Sequence, residues 1–207
     1  MKYDLVVFDL DGTTLDTLAD LAAACNAALG QGGYPARTLD EVRRFVGCGV
    51  ARLIELALPE GAPEEARERT LAAFKDYYAQ HINDATKPYP SILSLFQALK
   101  DAGVHTALNS NKLDSAVQSL CARHFPGLYE AALGERAGTP RKPSPEGVRQ
   151  LMALFGALPD RTLYVGESQI DLLTAQNAGV DCAWVSWGFR RREELDGLSV
   201  PHTFDRA

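Results

Sequence analysis

Leu5, Val6, Val7 and Phe8 form a continuous apolar run that stops abruptly at Asp9. A strand buried on both faces, whose carboxyl end meets solvent, has this pattern. Comparable runs recur at 104–108, 163–165 and 182–185, with a weaker one at 131–133. Helical segments separate most of them. Ile92, Leu95, Phe96 and Leu99 repeat at helical spacing before Gly103, and Val148, Leu151, Met152 and Phe155 do so behind Ser144 and Pro145, which suit N-cap and N1 positions. Asp114 suits the cap of a third helix, with Val117, Leu120 and Cys121 inward. Short apolar strands alternating with amphipathic helices predict an α/β fold built on an open, Rossmann-like parallel sheet.

Residues 15–84 break this alternation, because they carry several helical patterns and no convincing strand. Leu18, Leu21, Ala22, Cys25 and Leu29 line one face of a first helix that Gly30, Gly32 and Gly33 end, and a last helix begins near Pro63 with Leu71, Phe74 and Tyr78 on one side. The chain returns through Lys87-Pro88-Tyr89-Pro90, where the prolines favour an extended connector. The expected organisation is therefore a core of 1–14 and 85–207 interrupted by a helical unit at 15–84, which 207 residues can supply.

A formal charge of -6 provides no broad attraction for nucleic acid or an anionic membrane, while leaving room for a local pocket that holds a small anion. Cys25, Cys48, Cys121 and Cys182 are widely spaced, form no CxxC pair and read as free thiols. Met1 leads directly into the first strand-like run without a basic or long apolar leader, so a cytoplasmic location is expected, as a monomer or homodimer.

Asp9-Leu10-Asp11-Gly12-Thr13 puts two carboxylates on one side of an extended segment, followed by a glycine that lets backbone amides approach an anion. Alone, this pattern also suits a calcium turn or a capped loop. Its place at a strand end favours chemistry, because carboxyl ends of strands in an open α/β sheet converge on one crevice. Other strand ends add Ser110 and Asn111, Lys142, and Glu167 with Asp171. Each has a bland reading as turn former, solvated lysine or helix cap; together they make a phosphate site.

In that order, these residues resemble the four motifs of the haloacid dehalogenase superfamily: Asp9 to Thr13 the nucleophile motif, Ser110 the small hydroxyl residue, Lys142-Pro143 the lysine motif, and Gly166-Glu167-Ser168 with Asp171 the acidic motif. The helical insert resembles the family's mobile cap. Ala178-Gly179 and Trp187-Gly188-Phe189-Arg190 are most similar to the phosphoglycolate phosphatase branch. Glu167 stands where aspartate is commoner, and Ser91 where the return loop usually has glycine.

The resemblance implies hydrolysis of a small phosphate ester, with Asp9 as nucleophile through an aspartyl-phosphate and Asp11 as general acid and base. Four acids in one crevice, Asp9, Asp11, Glu167 and Asp171, call for a cation, and Mg2+ suits oxygen ligands and a substrate phosphate. The family implies that Asp11 coordinates through its backbone carbonyl. Gly12, Thr13, Ser110, Asn111 and Lys142 are expected to hold the phosphoryl group, and Arg52, beside Gly47-Cys48-Gly49, a substrate carboxylate. A sugar phosphomutase shares the nucleophile and the helical cap, and a silent binding module could retain the fold.

Overall fold

The first apolar run becomes β1 (Leu5–Phe8), an interior strand of a six-stranded sheet in the computed structural model, which describes residues 2–195, 197, 200 and 202–207. Two-residue strands β2 (Leu15–Asp16) and β3 (Lys87–Pro88) follow where the chain leaves and re-enters the sheet-bearing unit. The sheet continues with β4 (His105–Leu113), β5 (Ala131–Glu135), β6 (Thr162–Gly166), β7 (Asp181–Val185) and β8 (His202–Phe204). Its order is β5-β4-β1-β6-β7-β8, with parallel pairing throughout. After β1 the sheet grows outward through β4 and β5, then resumes on the other flank with β6. The order thus reverses at β1, and a crevice opens beyond the carboxyl ends there.

The chain divides into two compact units, Met1–Asp16 with Pro88–Ala207, and Thr17–Lys87. The second consists of α1 (Leu18–Gln31), α2 (Leu39–Phe45), α3 (Val50–Ala57) and α4 (Glu64–His81). Leu21, Cys25 and Leu29 of α1 and Phe74 and Tyr78 of α4 are buried, and these two helices pack on each other. The buried Asp20 carboxylate accepts the Ala85 and Thr86 amides at 2.8 and 2.9 Å and the Thr86 hydroxyl at 2.6 Å, tying α1 to the returning chain. Thr38 and Glu41 form a capping box at the start of α2. No helix among the described residues is long and apolar enough to cross a membrane.

In the sheet-bearing unit, α5 (Ile92–Asp101), α6 (Asp114–His124), α7 (Glu146–Phe155) and α8 (Gln169–Ala178) cover the strands. Leu5 and Val7 share a core with Val148, Leu151 and Met152 of α7 and Leu172 and Ala175 of α8. Phe8 points the other way, as strand alternation requires. Its ring meets Phe96 of α5 at 4.9 Å, and Phe96 meets Phe125 at 5.0 Å. Each such buried side chain contributes roughly 1.5–3 kcal/mol, so β1 is anchored from both faces and its carboxyl end is a fixed platform.

The sequence reading and the structure differ in three places. β4 runs through Ser110 and Asn111 to Leu113 rather than ending at the last apolar residue, with a register shift against β5 between Asn109 and Leu113. β8 is a short exposed edge strand with no apolar pattern to announce it. α7 starts one residue late, with Pro145 at N-cap and the Ser144 hydroxyl accepting the Glu146 amide at 3.4 Å. Ser91, where the resemblance expects glycine, has φ 68° and makes no capping hydrogen bond with its side chain.

Candidate active site

Asp9 directly follows β1, and its amide donates to the Val165 carbonyl of β6 at 2.9 Å. The chain then bends at Leu10, whose carbonyl accepts the amides of Thr13, Thr14 and Leu15 at 3.3, 3.0 and 3.0 Å, while the Gly12 amide donates to Leu15 at 2.9 Å. This turn corrects one expectation. The Gly12 and Thr13 amides are used to close the turn, so they do not form an open nest for an anion. Gly12 is required for other reasons: its φ is 81°, and a Cβ there would lie 3.0 Å from the Phe189 ring and 3.2 Å from Glu167 Cγ.

Because of the bend, the two aspartates meet different lysines. Asp9 Oδ1 accepts from Lys142 Nζ at 2.7 Å, whereas Asp11 accepts from Lys112 Nζ at 2.9 and 3.2 Å. Lys142 also donates to Asp171 Oδ1 at 2.8 Å and to the Tyr164 hydroxyl oxygen at 3.2 Å, which uses all three ammonium protons. The loop carrying Lys142 is held by Asn111: its side-chain Oδ1 accepts the Lys142 amide at 2.8 Å and its Nδ2 donates to the Lys142 carbonyl at 3.1 Å. The Asn111 side chain therefore braces the loop that carries Lys142. Ser110 is buried, and its hydroxyl accepts the Lys112 amide at 3.2 Å.

The acidic pair divides its work as well. Asp171 is fully buried at the third position of α8, where its Oδ2 accepts the amides of Glu167 and Ser168 at 3.2 and 3.0 Å and the Ser168 hydroxyl at 2.7 Å. With Oδ1 on Lys142, both oxygens of Asp171 are engaged by protein donors. Glu167 Oε2 accepts the Arg190 amide at 2.6 Å. A Cβ on Gly188 would lie 2.4 Å from Glu167 Cβ and 2.5 Å from the Gly12 carbonyl, so two glycines make room for a side chain one methylene longer than aspartate. Trp187 closes this side, donating from Nε1 to the Thr13 carbonyl at 3.0 Å.

Burial and the neighbouring Asp171 charge push the Asp9 carboxyl up to about 7, outweighing Lys142. Burial, again helped by Asp171, pushes Glu167 up to about 8. Burial works against the Lys142 ammonium, but Asp171 and Asp9 together hold its pKa well above the ordinary lysine value. Among the described residues, no group of three or more His, Cys, Asp or Glu side chains is arranged to hold a metal ion.

The sheet-bearing unit thus gathers Asp9, Asp11, Ser110, Asn111, Lys142, Glu167 and Asp171. Arg52 belongs to the helical unit, where it pairs with Glu55 at 2.7 Å, and Arg43 and Arg44 of the same unit pair with Asp40. Gly47 and Gly49 have φ of 126° and 86°, and Cys48 between them is exposed. Sequence reasoning missed Lys112 and Tyr164. Lys112 was findable from its i+2 spacing to Ser110, had β4 been extended through the polar stretch; Tyr164 is hidden inside an apolar strand.

The family profile described as haloacid dehalogenase-like hydrolase matches residues 6–185. The chain is 35% identical to phosphoglycolate phosphatase 1 of Pseudomonas aeruginosa over 191 residues, covering 89% of this chain and 70% of that one. It is 33% identical to a phosphoglycolate phosphatase of Vibrio parahaemolyticus over 208 residues, covering 97% and 91%. Among solved structures, a candidate phosphoglycolate phosphatase from Lactobacillus delbrueckii subsp. bulgaricus superposes with a TM-score of 0.93 at 36% identity, covering 99% of this chain and 95% of that one.

Proposed function

From the premise that the chain belongs to the haloacid dehalogenase-like hydrolase family, we propose that it is a Mg2+-dependent phosphatase of small phosphate monoesters, with 2-phosphoglycolate as its substrate. The observation that carries this reading is the Asp9–Lys142–Asp171 network at the sheet's reversal point, with a second carboxylate two residues beyond the first. The names of the relatives support the substrate.

Phosphoryl transfer demands an in-line nucleophile and donors for the nonbridging oxygens. Asp9, fixed by β1 and by Lys142, presents its free carboxylate oxygen and forms the aspartyl-phosphate, so one difficult hydrolysis becomes two displacements. The Ser110 hydroxyl takes a phosphoryl oxygen, and Lys142 takes another by giving up its 3.2 Å bond to Tyr164, offsetting the negative charge brought together by nucleophile and substrate. Asp11 protonates the departing alkoxide and then takes a proton from the water that cleaves the acyl phosphate. Asn111 and Tyr164 act through Lys142, whose backbone and ammonium they hold. Asp171 does the same while capping α8.

The donor set fits magnesium. Two buried lysines, with Arg190 acting on Glu167, face four carboxylates, which leaves negative charge in excess, and burial followed by the Asp171 charge holds the Asp9 and Glu167 carboxyls high. Asp9, Glu167 and the Asp11 carbonyl would hold the ion, while Asp171 is committed to protein donors. Only two of these three ligands are side chains, which explains why no three acidic side chains converge. When bound, the ion supplies charge neutralisation at the phosphoryl oxygens. The helical unit Thr17–Lys87, expected from the sequence at 15–84, is assigned as the cap, and its Arg52 as the partner of a substrate carboxylate.

Release of phosphate from p-nitrophenyl phosphate and from a panel of metabolite phosphates tests the reading. Activity should require Mg2+, vanish with chelator and be highest on 2-phosphoglycolate; net isomerisation of a sugar phosphate would assign a mutase instead. A second expectation follows from linkage. Because the folded protein binds protons at Asp9 and Glu167 more tightly than the unfolded chain does, metal-free stability falls as pH rises from the ordinary carboxylate range through about 7 and about 8. Mg2+ should therefore raise Tm more at pH 8 than at pH 5.5. An equal shift at both values, read by differential scanning fluorimetry, would reject these residues as the cation site.

A further inference from the structure

The mechanism above leaves one buried cation without a task. Lys112 has a side chain only 6% exposed, yet its ammonium lies 2.9 and 3.2 Å from the two oxygens of Asp11, itself 13% exposed. A lysine is withdrawn from water in this way only when paired. The pair is shielded, so salt screens it weakly.

We propose that Lys112 is the positioning residue for Asp11, the group that aims the acid/base carboxylate at the leaving oxygen; this rests on the phosphatase reading. A terminal carboxylate rotates in a broad torsional well, and Asp11 interacts unfavourably with the charge of Asp9. One ammonium bonded to both oxygens fixes that rotation and holds the carboxylate against the repulsion. Acid/base transfer depends on such placement, since a displacement of about 1 Å costs about 100-fold in rate.

The strand is built to deliver this ammonium. Side chains alternate along β4, so Ser110 and Lys112 share one side while Asn111 between them serves Lys142. Three consecutive residues thus supply the phosphoryl donor, the brace of the nucleophile's lysine and the brace of the acid/base. The strand end itself is clamped. A Cβ on Gly134 of β5 would lie 2.4 Å from Asp114 Cα and 2.8 Å from the Lys112 carbonyl, and the Gly134 amide donates to Asp114 Oδ1 at 2.9 Å. The absence of a side chain at Gly134 thus lets β5 approach closely beside Lys112 and Asp114.

The test uses the leaving group, because kcat/KM reports the steps through the first phosphoryl transfer, where an alkoxide must be protonated and a p-nitrophenolate need not be. Lys112→Met should lower kcat/KM for 2-phosphoglycolate by about 100-fold and for p-nitrophenyl phosphate by less than about fivefold. In an Asp11→Asn background the same substitution should cost less than about threefold more, since residues acting as a unit are not additive. Equal losses on the two substrates, or a full multiplicative loss in the Asp11→Asn background, would overturn the assignment. Should Lys112→Met fail to fold, Lys112→Gln carries the same comparison: selective loss on the alkyl phosphate supports the role, and an equal loss or none rejects it. If the wild-type protein releases no phosphate from either substrate, the phosphatase reading itself falls; Asp9→Asn and Asp11→Asn are the controls expected to abolish or sharply lower that release. If they do and neither Lys112 variant is selective, only this inference falls.

Discussion

Asp9→Asn should lower turnover by about 10^4-fold or more while the protein remains folded, the largest catalytic loss expected from a substitution in this chain. An asparagine has nearly the same shape, and its Oδ1 can still accept from Lys142, which keeps its bond to Asp171. Positioning of the surrounding residues is therefore retained, and what disappears is the anionic oxygen that attacks phosphorus. Acid quench during turnover should trap phosphate covalently on the wild-type protein and none on the variant. Turnover that persists in Asp9→Asn would show that water attacks directly and that the covalent route is wrong.

The sequence made Asp9 legible because two independent signals coincide there: an all-apolar run that must be a buried strand, and an abrupt switch to acid at its carboxyl end. Its partners were legible by order along the chain, since Lys142, Glu167 and Asp171 follow later strands. Their division of labour was not. Asp171 reads as a metal ligand from its motif, yet its two oxygens take three α8 cap donors and Lys142, a saturation that depends on helix geometry. Gly12 reads as an anion nest, whereas its amide closes a turn and its missing side chain makes room for Phe189 and Glu167. β4 was cut short for a related reason. Hydropathy marks strands through apolar burial, and Asn109 to Lys112 are buried by a polar network instead. The same blind spot hid Lys112.

Lys142→Met should be as damaging to stability as Asp9→Asn is to catalysis. Its ammonium lies between the Asp9 and Asp171 carboxylates at 2.7 and 2.8 Å, all three side chains being at most one-tenth exposed. Methionine fills the volume but leaves two carboxylates facing each other without a counter-charge. Breaking a buried pair from one side costs about 3–5 kcal/mol, because the remaining charge stays desolvated, and for a chain of this size that is a fall of roughly 10 °C in Tm. Denaturant unfolding in chelator should show the loss, together with turnover near background. A second substitution separates the two effects. Adding Asp171→Asn removes one stranded charge, so Lys142→Met with Asp171→Asn should recover much of the stability without recovering turnover, since the phosphoryl donor is still missing. Stability equal to wild type in Lys142→Met alone would mean that the network is not what holds the nucleophile in place. Recovery of activity in the double variant would remove Lys142 from the chemistry.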